Sequence, residues 1–343
     1  MKYLKKSYDD LKPYFSKNIE EGIILNANEA GYNPPLKILE KYFEALKNVD
    51  FNRYPDMMNT SLCYYIAKAY GVKPNQVCCG VGSDELLEVT FRAVLESGDN
   101  VISFSPSFSM YNVFAYLCGA NFIPVYFNDN YTFNIGKMIQ AINKYKPKIV
   151  CICSPNNPTG QVISKTDIER IVYSTDALVL LDLAYVDFAE EDYTNLAVKY
   201  DNLIVFRTFS KAYALASIRC GYAISKSDNI NLINAVKAPY SLSTQSALLA
   251  SIAIRHKNLY LPLINEVKKE RSRVYTSLKE LGFDVIDSQA NFLFINMDDK
   301  YNDELLRNKI YIRKFMQGKY RITIGKKEEN DKLIEVLKCV SQR

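Results

Sequence analysis

The chain has 343 residues, 48% of them hydrophobic and 24% charged, enough to bury a large core without staples and long enough for two domains. Lys and Arg number 43 against 38 Asp and Glu; a net charge of +5 with no dense basic block argues against a nucleic-acid partner. A single histidine, His256, excludes a zinc site built from several His ligands, and none of the eight cysteines forms a C-x-x-C pair, so no metal is expected.

At the start, MKYLKKSYDDLKPYF carries charge but no apolar stretch of the kind a signal peptide needs. No apolar run anywhere approaches 18 residues, so no membrane span is expected. The unpaired, mostly apolar-flanked cysteines suit a reducing compartment, and the expected location is cytoplasmic. The middle of the chain then alternates strand-like and helical runs. Strands are expected at QVCCGV (76–81), NVISFSP (100–106), NFIPVYF (121–127), KIVCICSP (148–155), ALVLLDLAY (177–185), NLIVFRTF (202–209) and GYAIS (221–225). Helices are expected between them at 83–97, 109–120, 137–146 and near 164–174. Continuous Val- and Ile-rich runs of this length are typical of parallel strands covered on both faces. The pattern predicts an α/β fold with a mostly parallel sheet sandwiched by helices.

The last third reads differently. One long helix is expected over 243–282, bent near Pro262, followed by short strands FDVI, FLFIN, IYIR and YRITIG. This is a smaller α+β unit. The expected division is a large domain over 48–245, with residues 1–47 and 246–343 forming the smaller one.

Open parallel sheets bind ligands at the carboxyl ends of their strands, and four polar clusters fall there. Gly80-Val81-Gly82-Ser83-Asp84-Glu85 joins a strand to a helix, where backbone N–H groups can cradle a phosphate. Glu85 replaces the third glycine of a nucleotide fingerprint, so a dehydrogenase reading fails, and an ordinary capped helix start remains the alternative. Ser154-Pro155-Asn156-Asn157-Pro158-Thr159-Gly160 is a rigid loop with side-chain amides in fixed positions, or simply a sharp loop. Asp182 ends an apolar strand, where a carboxylate is costly unless paired; a protonated ring nitrogen or an ordinary salt bridge would serve. Thr208-Phe209-Ser210-Lys211, with Arg219 eight residues on, offers two hydroxyls and a guanidinium for a phosphate. It also offers a lysine whose desolvation would free its amine, although either cation alone could be structural.

Taken together, the segments LNANE (25–29), NRYPD (52–56), GVGSDE (80–85), PSFSMY (106–111), SPNNPTG (154–160), LLDLAY (180–185), TFSKAYALASIRCGY (208–222), ANFLF (290–294) and YRITIG (320–325) resemble the fold-type I pyridoxal-phosphate aminotransferases. The resemblance is strongest to the histidinol-phosphate aminotransferase group and covers nearly the whole chain in the family's order. It implies pyridoxal 5'-phosphate as cofactor, with Lys211 carrying it covalently and shuttling the proton. Asp182 would pair with the ring nitrogen so that the ring acts as an electron sink. Asn157 and Tyr185 would bind the ring oxygen, and Tyr111 would stack on the ring face. Gly82, Ser83, Asp84, Thr208, Ser210 and Arg219 would hold the phosphate. Tyr54 would reach the phosphate of a neighbouring subunit, making a homodimer with shared active sites. Arg321 would bind the donor carboxylate, Arg313 would assist with an anion, and Asn28 would line the substrate side.

Two departures from the family stand out: Leu183, where an acidic residue is usual after the ring-binding Asp, and a short stretch, KFMQGKY, between the two C-terminal arginines. The short stretch suggests a compact pocket. The implied reaction moves an amino group between glutamate and a small phosphorylated keto compound, either the imidazole-bearing one or a smaller ketone such as dihydroxyacetone phosphate. A decarboxylase of a phosphorylated amino acid, using the same lysine and ring, is the competing reading.

Overall fold

The structure, a computed structural model, describes Tyr8, Ile19 and residues 21–342. The opening segment considered above as a possible signal falls largely outside the described residues, as does much of the expected 1–47 unit. Among the described residues, twelve strands form two sheets. In chain order they are β1 (Ile23–Leu25), β2 (Val77–Val81), β3 (Asn100–Ser105), β4 (Asn121–Tyr126), β5 (Ile149–Cys153), β6 (Leu178–Asp182), β7 (Leu203–Thr208), β8 (Cys220–Ile224), β9 (Asp284–Ile286), β10 (Phe292–Asn296), β11 (Ile310–Met316) and β12 (Lys319–Thr323).

The larger sheet has the order β2-β8-β7-β6-β5-β3-β4. β5, β7 and β8 are buried along their whole length, as their unbroken apolar runs require. β4 lies at the edge, paired only with β3, so Pro124 costs no ladder hydrogen bond to a second neighbour. Six strands run in one direction; β8 is antiparallel to both β2 and β7. The connection from β7 to β8, residues 209–219, holds no α-helix and cannot make a parallel crossover. The chain therefore returns directly, and Lys211 sits on this tight return.

The smaller sheet has the order β1-β11-β12-β10-β9, with β1 parallel to β11 and the other pairs antiparallel. The N-terminal strand thus completes a sheet otherwise made from the C-terminal residues. The single long helix expected over 243–282 is two helices, Thr244–Arg255 and Leu261–Glu280, separated by a 3-10 turn at Lys257–Tyr260. Pro262 occupies the first turn of the second helix, where its missing N–H has no partner to lose. The break therefore precedes the proline instead of falling at it. Among the described residues, no helix is long and apolar enough to cross a membrane.

The register of the larger sheet sets up the site. Cys153 at the end of β5 lies beside Asp182 at the end of β6, and Asp182 lies beside Phe206 near the end of β7. The loops that follow these three strands leave the same edge of the sheet.

Candidate active site

A cavity of about 120 Å³ opens at that edge, walled by Ser83, Asp84, Phe108, Cys153, Asn157, Asp182, Ala184, Tyr185, Thr208, Ser210, Lys211 and Arg219. A larger groove of about 850 Å³ continues from it, shared through Lys211, Asn157 and Tyr185 and reaching Asn28, Arg313, Phe315 and Arg321. The fold therefore brings most of the expected site residues together from eight separate segments.

One end of the cavity is built from hydrogen-bond donors. The helix Gly82–Val94 begins there, leaving its first N–H groups without intrahelical partners. Thr208 Oγ1 donates to Ser210 Oγ at 3.0 Å and accepts from the Ser210 N–H at 3.1 Å. Arg219 Nη1 donates to Ser210 Oγ at 3.3 Å, and its Nη2 pairs with Asp84 Oδ2 at 3.3 Å. Gly82 has φ +76°, and a Cβ there would stand 3.0 Å from Arg219 Nη2, so this glycine gives the guanidinium its place without lining the cavity itself. Gly221 on β8 acts at the level of the backbone: a Cβ would fall 2.3 Å from the Ser83 N and 2.5 Å from the Gly82 carbonyl carbon. Only a glycine lets the helix start settle onto the sheet.

The other end holds Asp182. It is 4% exposed, accepts from the Tyr111 hydroxyl at 2.8 Å and from the Ala184 N–H at 3.1 Å, and makes no ion pair among the described residues. Burial pushes its carboxyl up to about 6 against the pull of those two hydrogen bonds. Leu183 beside it is fully buried in the main core, where the acidic residue usual in the resembled family would have no place. Between the two ends, the half-buried Lys211 donates to the Ala27 carbonyl at 3.1 Å, and its Nζ lies 5.8 Å from the centre of the Tyr185 ring. Burial first, and then the charge of Arg321, pull its amine down to about 8, with Arg219 adding to this and Asp84 and Glu29 opposing it.

The two asparagines of SPNNPTG divide their work. Asn156 is fully buried and ties the loop together, donating to the Pro106 carbonyl and to Thr159 Oγ1 and accepting from Ser107 Oγ. Asn157 faces the cavity, and its Oδ1 accepts from Arg321 Nη1. Arg321 also donates to the Asn26 carbonyl at 2.8 Å, and its guanidinium lies 5.4 Å from the ring centres of both Phe292 and Phe315. Arg313 stands directly opposite Arg321 on the neighbouring antiparallel strand.

Two expected positions differ. Tyr111 is 1% exposed and does not line the cavity: it sits behind Asp182, bonded to its carboxylate. The aromatic wall is Phe108, three residues earlier and just before the helix, edge-on to Tyr111 at 5.4 Å between centroids. Both residues belong to PSFSMY, and the apolar face of the helix Met110–Leu117 turns Tyr111 into the core. Tyr54 is remote from this chain's own cavity: it is 82% exposed and stacked on Tyr240 at 4.8 Å. Sequence reasoning also missed Phe108, Cys153 and Ala184 as cavity residues; each is adjacent to a quoted motif or within one. The short 314–320 stretch is the end of a β-hairpin, paired strand on either side of a turn at 317–318, and it does not make the pocket compact.

The donor set fits pyridoxal phosphate: an anion cradle at one end, a buried carboxylate without a cationic partner at the other, and an amine of lowered pKa between them. The model of the family "Aminotransferase class I and II" matches residues 20–337, and the chain belongs to that family. It is a pyridoxal-phosphate-dependent aminotransferase of the fold-type I architecture. Among similar proteins, the histidinol-phosphate aminotransferase of Caldanaerobacter subterraneus is 33% identical over 98% of this chain and 97% of its own length. The histidinol-phosphate aminotransferase 1 of Carboxydothermus hydrogenoformans is 34% identical over 98% of both. The crystal structure of the Sinorhizobium meliloti histidinol-phosphate aminotransferase in complex with pyridoxal-5'-phosphate shares the fold, with a TM-score of 0.89, 22% identity, and coverage of 100% of this chain and 98% of that one.

Proposed function

We propose that this aminotransferase exchanges an amino group between glutamate and a phosphorylated keto compound bearing an imidazole, the histidinol phosphate pair. The observation that carries the reading is the opposed pair Arg313 and Arg321 at the groove. Like charges directly across an antiparallel ladder are unfavourable, and a doubly charged anion between them relieves that. The names of the relatives and the width of the groove support the imidazole substrate. They lend nothing to dihydroxyacetone phosphate or to decarboxylation.

In this reading the cofactor supplies an electron sink for the carbanion formed when the substrate loses its Cα proton. Asp182, held by Tyr111 and Ala184, places a negative charge in a dry site to keep the ring nitrogen protonated. Ser83, Asp84 (through its backbone), Thr208, Ser210 and Arg219 hold the phosphate. Asn157 and Tyr185 would bind the ring oxygen, and Phe108 would pack against the ring. Lys211 would hold the cofactor through its amine and carry the Cα proton. With its amine near 8, roughly a tenth is neutral at pH 7, against less than about a thousandth for an ordinary lysine. Arg321 binds the carboxylate of glutamate with a two-pronged bond, and Arg313 adds charge for the phosphate of the acceptor. Tyr54, exposed here, completes the phosphate site of a second copy in a homodimer, and the chain divides into a cofactor domain over 48–245 and a smaller domain from 1–47 and 246–343.

The test is a half-reaction. The protein is converted to its amine form with glutamate, then offered a panel of phosphorylated ketones and their dephosphorylated counterparts, and the return of the absorbance is timed. The imidazole acetol phosphate should react fastest by kcat/KM. Equal rates with and without phosphate would overturn the anion-binding role of the arginine pair.

A further inference from the structure

Asn28 holds an unusual position. Its backbone is left-handed, with φ +53°, a conformation that a non-glycine residue keeps only when its surroundings hold it. Three contacts hold it. Its N–H donates to Thr323 Oγ1 at 3.0 Å, its carbonyl accepts from Asn291 Nδ2 at 3.1 Å, and its side-chain Oδ1 accepts from Thr323 Oγ1 at 3.2 Å. Both partners belong to the smaller sheet unit, at the end of β12 and just before β10. The remaining group, Nδ2, donates to the Tyr185 hydroxyl at 3.0 Å, in the loop that follows β6 of the larger sheet. Asn28 is 1% exposed and Tyr185 is 6% exposed, so water does not compete for these bonds.

The polarity of this chain of bonds is determined. Thr323 Oγ1 already accepts the Asn28 N–H, so its own hydrogen needs an acceptor, and Asn28 Oδ1 is the one within reach. That orientation turns Nδ2 toward Tyr185. A phenol oxygen that accepts from Nδ2 must send its single hydrogen elsewhere, and the open side of Tyr185 is the cavity.

We propose that Asn28 is a positioning residue that fixes Tyr185 as a hydrogen-bond donor into the cavity, and that Thr323 and Asn291 set its direction from the smaller sheet. This rests on the reading that Tyr185 meets the ring oxygen of the cofactor. A donor at that oxygen stabilises its ionised form, so the relay keeps the protonation midpoint of the bound cofactor low. Because the anchors lie on the unit that carries Arg321, two residues before Thr323 on β12, a shift of that strand on substrate binding is felt at the ring oxygen.

The test is a double-mutant cycle read by the pH titration of the holoprotein's visible absorption, with no turnover required. Y185F alone should raise the midpoint by about one pH unit, the effect of one charge-assisted hydrogen bond. N28D reverses the polarity: a carboxylate accepts where the amide donated, and Tyr185 turns its hydrogen toward it. The through-space effect of the new charge is present in both backgrounds and cancels in the cycle. N28D should therefore raise the midpoint more with Tyr185 present than in Y185F, by an amount close to the Y185F shift itself. N28G keeps the left-handed backbone without introducing charge, and should give a smaller rise that vanishes in Y185F. Shifts that simply add would overturn the relay. A Y185F midpoint equal to the wild type would instead overturn the contact of Tyr185 with the cofactor, and the relay with it.

Discussion

Asp182→Asn should stabilise the cofactor-free protein while crippling the loaded one. The carboxylate is buried and accepts only neutral hydrogen bonds, which leaves its pKa at about 6 against an ordinary value of 3.8. That difference corresponds to about 3 kcal/mol of folding stability. The sign follows from the folded value being the higher one. The carboxyl costs nothing below about pH 4, where it is protonated in both states, and its full penalty is reached once the pH has passed about 6. Asparagine carries no charge and can keep both contacts: its oxygen accepts the Ala184 N–H, and the Tyr111 hydroxyl rotates to accept from its NH₂. A net gain of about 1–3 kcal/mol at pH 7 is expected, shrinking to nothing near pH 4. Chemical denaturation of both apoproteins between pH 4 and pH 8 measures it. In the loaded enzyme, on the role proposed for Asp182, the same change would remove the charge meant for the ring nitrogen and should slow proton transfer at Cα by on the order of 10²-fold or more. An apo variant no more stable than the wild type at pH 7, or a difference that ignores pH, would refute the account of Asp182 as a carboxylate held ready for a cation.

The other expectations follow from individual contacts. Lys211→Ala should remove the absorption band of the lysine-bound cofactor together with turnover; substantial turnover by the variant would remove Lys211 from its role. Arg321→Lys loses the two-pronged bond and should lower kcat/KM for glutamate on the order of 10²-fold, about 2–3 kcal/mol, with little change in the spectrum of the resting enzyme; steady-state kinetics and absorbance separate the two. Gly221→Ala places a methyl 2.3 Å from the Ser83 N, so it should cost about 1–3 kcal/mol of stability and weaken cofactor binding. Gly136→Ala, whose Cβ would meet nothing closer than 3.7 Å within a helix, should be neutral or stabilising by up to about 1 kcal/mol; chemical denaturation measures both glycine variants.

Much of this molecule is written in local chemistry that a sequence exposes directly. Apart from the edge strand β4, the strands of the larger sheet are largely buried, so their apolar runs are unbroken and their polar ends conspicuous; Asp182 and Thr208 were legible for that reason. The direction of β8 was not, because a buried strand has the same composition whichever way it runs, and only the short connection across 209–219 dictates the return. The exchange of Phe108 for Tyr111 has a similar cause. Both are aromatic and lie in one motif, and which of them faces the cavity depends on where the helix begins: Tyr111 is inside Met110–Leu117, turned into the core, and Phe108 lies in the segment leading to it. Gly221 stands in a quoted motif, yet its reason is a backbone approach from Gly82 and Ser83, about 140 residues away in the chain. The opposed arginines depend on hairpin register: eight residues separate 313 from 321, and only the pairing of β11 with β12 brings them level.

The electrostatics of the site bind these pieces into one device. Arg321, at the groove, and Arg219, at the cavity, both lower the affinity of the Lys211 amine for a proton. Each guanidinium also faces a place where an anion is expected, the substrate carboxylate in one case and the cofactor phosphate in the other. Filling such a place neutralises the charge that acted on the lysine, so the amine becomes more basic as ligands arrive. An empty site thus favours the neutral amine that can attack the cofactor, and a full site favours the amine that can take up a proton. Burial, the largest cause of the shift, persists throughout and keeps both states within reach of neutral pH. On the roles proposed for them, the two arginines that would recognise the ligands would also time the chemistry of Lys211.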